Sequence, residues 1–175
     1  SDANTRENRD INVSRPSIPT LANEAKIGDQ IWMTKNLNVS RYRNGDIIPE
    51  VQDTIQWANL TTGAWCYYRN NPENGNTYGK LYNWYAVNDS RGLAPNGWHV
   101  ASYDEWSQLR AFLGGEQVAG GKLKEIGTTH WLSPNTGASN STGFTCLPSG
   151  YRTFDGSLFR FLKTQAFFWS SSGYD

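Results

Sequence analysis

The side chains best equipped for nucleophilic, redox or metal chemistry are two cysteines and two histidines, and their spacing offers no such site. Cys66 and Cys146 fall in unrelated segments and outside any Cys-x-x-Cys pair, so a zinc centre is not indicated. They either pair in an oxidising compartment or persist as two buried thiols, and separation along the chain does not choose between these. His99 sits between Trp98 and Val100 on an expected strand, a structural position. His130 adjoins Trp131 in a Thr-rich turn and is a candidate ligand contact. No HExxH-type spacing occurs. Glycoside hydrolysis needs two carboxyl groups facing one cleft. Asp104 and Glu105 instead lie side by side at a helix start, and Asp89 and Asp155 lie in turns. None has a context that would raise its pKa. The chain therefore reads as non-enzymatic and without a cofactor.

Calcium is the one metal with suitable donors, since a hard cation takes loop carboxylates and amide carbonyls. Asn71 and Glu73 in the run from Asn70 to Asn74, and Asp89 after Asn88, are the candidates. Ordinary Asx turns are the favoured reading, because neither run alternates acids as an EF-hand loop does.

Recognition without bond-making is better provided for. Eight Trp and nine Tyr stand in a chain of 175 residues. Such rings fill cores and also form stacking surfaces. Trp57 with Gln56 and Asn59, and Trp131 with Asn135 and Asn140, place an indole beside amides that can hydrogen-bond a ligand. The polar stretch 131–143 reads as a binding edge.

The elements that must position these groups are short. Gly28-Asp29 reads as a turn before a first strand, Gln30 to Thr34, with order beginning near Ile27. Asn44-Gly45-Asp46 signals a hairpin between Tyr42 and Ile48. Ala64 to Tyr68 reads as a buried strand, and Leu81 to Val87 as a short helix or turn. The strongest local signal is a helix from Tyr103 to Leu113. Ser102 caps it with Glu105 three residues on; Trp106, Leu109, Phe112 and Leu113 form one apolar stripe, and Gly114-Gly115 ends it. The whole predicts an α+β domain with long loops over residues 25–175. Residues 1–24, polar and carrying Pro16 and Pro19, read as a flexible tether. Sixteen basic and sixteen acidic residues balance, which argues against a nucleic-acid groove or a polybasic membrane patch. No stretch approaches the roughly 20 apolar residues of a membrane span.

Several motifs resemble one family. They are Tyr78 to Val87, Gly92 to Val100, Asp104-Glu105-Trp106, Gly120 to Lys124, Gly143-Phe144, Leu147-Pro148, Gly150-Tyr151-Arg152 and Trp169-Ser170-Ser171. In this order they resemble the Fibrobacter succinogenes major paralogous domain of exported proteins and lipoproteins. The segment Gly97 to Trp106 is also similar to the strand-to-helix signature of the formylglycine-generating enzyme superfamily, with Ala101 where both families carry Pro. The resemblance implies a C-type-lectin-like domain: a small twisted antiparallel sheet, two short helices and long loops. It also implies that Trp65, Trp84, Trp98, Trp106 and Trp169, as motif residues, belong to the core. It implies an exported module at the cell surface that binds polysaccharide or a surface protein, with membrane association only through an N-terminal anchor that has been removed. The copper-holding cysteine pair of the formylglycine-generating enzymes has no counterpart here. The family's chains also continue past the Trp-Ser-Ser segment with further strands. A domain lacking them would expose a sheet edge and invite a partner strand, the mark of an assembly unit.

Overall fold

The structure is a computed structural model and describes residues 23–172. The tether expected at residues 1–24 lies almost wholly outside the described residues. Order begins earlier than Ile27. β1 (Glu24–Ile27) pairs antiparallel with β2 (Gln30–Met33) through a turn at Gly28, whose φ of 60° favours glycine. Ala25 and Ile27 point into the core while Glu24 and Lys26 do not, a period of two that fixes the strand. A Cβ at Gly28 would press on the Phe112 ring at 3.1 Å, so the hairpin packs closely against the helix carrying Phe112.

The described residues form five α-helices and three separate two-stranded antiparallel sheets, where the resemblance implied two helices and one small sheet. α1 (Thr54–Ala58) is capped by Asp53. β3 (Trp65–Cys66) pairs with β4 (Leu81–Tyr82), and between them run a 3₁₀ turn (Tyr68–Asn70) and α2 (Pro72–Tyr78). α3 (Trp84–Val87) follows at once, capped by Asn83, so the 81–87 segment is half strand and half helix. α4 (Tyr103–Phe112) has the expected capping box. Ser102 Oγ accepts from the Glu105 amide, and the Glu105 carboxylate accepts from the Ser102 amide at 2.8 Å. α5 (Glu116–Leu123) was not foreseen, because Gly120-Gly121 within it argue against a helix. The packing explains Gly121: a Cβ there would run into the Gly137 carbonyl. β5 (Ser149–Arg152) and β6 (Phe159–Leu162) close the order.

Three apolar clusters hold these pieces together. The first joins β1, α4 and α5 to Trp131, Phe144 and Cys146. The second gathers Tyr42, Ile48, Trp65, Tyr82, Val87 and Leu93. The third packs Val51, Trp57, Ala64 and Cys66. The cysteines thus belong to different clusters and are free thiols. Burial pushes Cys66 up to about 11 and Cys146 up to about 12.

Candidate functional site: an aromatic-walled groove

A cavity of about 1010 Å³ runs between these clusters, at the top of the size range of small-molecule sites. Two groups of rings line it. Trp32 on β2 lies 4.6 Å from Trp106 on α4, Trp106 lies 5.2 Å from Phe168, and Phe168 meets Phe144 edge-on at 5.8 Å. In the second group Tyr151 on β5 meets Phe167 at 4.8 Å, with Phe161 of β6 behind them. Offset and edge contacts of this kind fix ring orientation. Phe154, on the turn between β5 and β6, is 91% exposed.

The last described segment is pinned by its polar atoms rather than by burial. Trp106 Nε1 donates to the Trp169 carbonyl at 3.2 Å, and Trp169 Nε1 donates to the Tyr82 carbonyl at 2.8 Å. The Ser171 amide donates to the Ala101 carbonyl at 2.9 Å, so Ala101, where the resembled families carry Pro, anchors this segment while the Ser102 cap stays intact. The Trp169 ring is consequently held in place and yet 48% exposed. It was expected in the core; its motif builds the rim of the groove instead. Trp84, Trp98 and Trp106 are half-buried, and Trp65 alone of that group is fully buried.

The residues expected to contact ligand divide differently. Trp57 is 6% exposed; the Arg152 guanidinium lies 4.4 Å from its ring and donates to the carbonyls of Val51, Gln52 and Gly156. It is a core residue on the inner lining of the groove: losing water costs a buried cation, and the carbonyls together with the indole face offset that cost. Asn59 is exposed at the end of α1, outside the groove, where its amide donates to the Ile55 carbonyl. Trp131 is 7% exposed and donates from Nε1 to the Cys146 carbonyl at 3.0 Å. The expectation of an exposed Trp131 fails because the segment at Cys146 takes the ring into the first cluster. Asn135 and Asn140 adopt positive φ and tie turns: Asn135 Nδ2 donates to the Glu125 and Gly127 carbonyls, and Asn140 exchanges bonds with Thr145. His130 Nδ1 lies 2.8 Å from the Glu125 carboxylate, within hydrogen-bond distance, and the ring meets Tyr78 edge-on. The stretch 131–143 is thus a stapled loop, and the groove does not include it.

The calcium candidates are separated. Asn71 caps α2 by accepting from the Glu73 amide, and Asp89 is bound to Arg91, so the donors do not converge. Among the described residues no group of three His, Cys, Asp or Glu side chains could hold a metal. His99 is exposed and paired with Glu105 at 2.6 Å on the groove wall. The Ser102 amide, with help from His99, holds the Glu105 carboxyl below its ordinary value.

The sequence matches the Fibrobacter succinogenes major domain family over residues 25–175. The chain belongs to this family. No curated protein and no solved structure matches it. In this member of the Fibrobacter succinogenes major domain family the groove residues that sequence reasoning missed are Tyr151, Phe154, Phe167 and Phe168. One signal was available: Phe167-Phe168-Trp169 is three rings in a row, which neither a helix stripe nor a strand alternation can bury on one face.

Proposed function

We propose that this chain is a non-catalytic ligand-binding module of an exported, cell-surface protein, with a C-type-lectin-like scaffold, and that the groove takes an extended polysaccharide. The carrying observation is that Phe154, Phe168 and Trp169 are exposed rings along a groove whose deeper wall is already packed. Ring faces stack on the apolar faces of pyranoses, and Lys80 on the lining adds a polar group beside them. The groups fit for catalysis are each occupied structurally. Glu105 caps α4, and both thiols are buried with raised pKa. Calcium has no part in this reading.

Affinity electrophoresis in gels containing soluble glucan, xylan or mannan tests it. Retardation by at least one polymer, unchanged by EDTA and abolished in Trp169→Ala, is the expected result. Migration unaffected by every polymer, or retention that survives Trp169→Ala, would refute the groove as a carbohydrate site.

A second reading has its own observation. Leu158 and Phe161 are exposed apolar side chains that do not line the groove, as on a surface completed by a strand from a neighbouring subunit. A protein subunit of a surface appendage is the occupant in that case. Sedimentation velocity separates the two, because an assembly unit self-associates at micromolar concentration and a solitary binding module stays monomeric.

A further inference from the structure

Away from the groove, and sharing no lining residue with it, a second cavity of about 240 Å³ opens between the loop before β3 and the end of α3. Its walls are more polar than apolar. Thr61 and Thr62 form one side, and Asn88 and Ser90 the other. Tyr85, 45% exposed, projects from α3 at its edge.

The frame is rigid. Asn83 Nδ2 donates to the Thr62 carbonyl at 2.9 Å, and its Oδ1 accepts from the amides of Ala64 and Ala86, both at 3.0 Å, so one side chain locks both walls together. Asp89 Oδ1 accepts from the amide and Nε of Arg91, and Oδ2 accepts from Nη2 at 2.8 Å. Arg91 Nη1 reaches Asp46 at 3.1 Å, and the guanidinium lies 4.1 Å from the Tyr42 ring centroid, a ring itself only 3% exposed. Against this frame, the side-chain polar groups of Thr61, Thr62, Tyr85, Asn88 and Ser90 make no hydrogen bond among the described residues. Solvent-exposed hydroxyls and an amide therefore line a cavity whose frame is held in place, beside a carboxylate and a guanidinium of fixed geometry.

We propose that this cavity binds one neutral pyranose ring. Hydroxyls and amides both donate and accept, as ring hydroxyls require, and the Tyr85 face offers an apolar contact. The volume lies below the about 300–1,000 Å³ of sites for drug-sized ligands and suits a single ring. Charge sets the selectivity. Asp89 on the lining and Asp46, which reaches the site only through its pair with Arg91, together outnumber that guanidinium, so an acidic sugar is disfavoured against a neutral one. The site is independent of the groove reading.

Backbone amide shifts of the ¹⁵N-labelled protein, titrated with the methyl glycosides of glucose, galactose, mannose and N-acetylglucosamine and with methyl glucuronide, test the assignment. At least one neutral glycoside is expected to shift Thr62, Gly63, Asn88 and Arg91, with a dissociation constant of about 1–10 mM. The glucuronide should bind at least about tenfold more weakly. Tyr85→Ala and Asn88→Ala, each with an otherwise unchanged spectrum, should each weaken binding about tenfold, and Trp169→Ala should leave it intact. No shift at these amides with any neutral glycoside up to about 50 mM, equal binding of the glucuronide, or indifference to both variants would overturn the proposal.

Discussion

At the scale of single residues, the two tryptophans that the sequence placed at the surface and one of the five it placed in the core have exchanged roles. Trp131 and Trp57 are buried, whereas Trp169 is half in solvent. Trp131→Ala should therefore cost about 3–5 kcal/mol in urea denaturation, the usual loss for a buried indole, and should act on ligand binding only through stability. Trp169→Ala should change stability far less and remove polysaccharide retention. A denaturation midpoint unmoved by Trp131→Ala would contradict its burial. The exchange was illegible because flanking polarity was the available cue. Burial of the Trp131 ring depends on the Cys146 carbonyl, 15 residues away, which no local pattern reports. The cysteines give a second residue-scale expectation. With both thiols buried and their pKa values raised to about 11 and about 12, a thiol reagent at about pH 8 should modify neither in the native protein and both in denaturant. Rapid native labelling of either would contradict their burial.

At the scale of elements, α4 was legible almost residue by residue. The reason is that its signals are local: Ser102 and Glu105 satisfy each other's amides, Leu109 faces the core, and Gly114 ends the helix. Ser102→Ala should cost about 1 kcal/mol. The Glu105 carboxyl is held below its ordinary value of 4.5 in the folded chain. Its contribution to stability is therefore complete above that value and is lost as the pH falls through the lowered one. The pH dependence of the urea midpoint below about pH 5 should be shallower in Glu105→Gln than in the parent chain. Equal slopes would remove Glu105 from the account. α5 was illegible for the opposite reason. Its Gly121 is explained by the close approach of Gly137, a tertiary contact that overrides propensity. The same holds for β1, whose two inward residues are too few to stand out as a strand until β2 pairs with them.

At the scale of the whole molecule, the α+β class was readable from the short, punctuated apolar pieces, but their assembly into three small sheets was not. Strands of two to four residues carry too little pattern to reveal their partners. The groove follows from that architecture. Three modest clusters leave a long cavity between them, and the aromatic residues that would otherwise unite them line it instead. The candidate contacts chosen from sequence fell mostly outside it because amide-flanked indoles mark turns as readily as ligand sites. Asn135 and Asn140, both at positive φ, show the alternative use. The most direct test of the groove as the binding face is hydroxyl-radical footprinting of the protein with and without soluble glucan, xylan and mannan. With at least one polymer, oxidation of Phe154, Phe168 and Trp169 should fall together while Ile55 and Ile126, exposed and outside the groove, stay unchanged. Protection confined to other surfaces, or none with any polymer, would contradict the assignment.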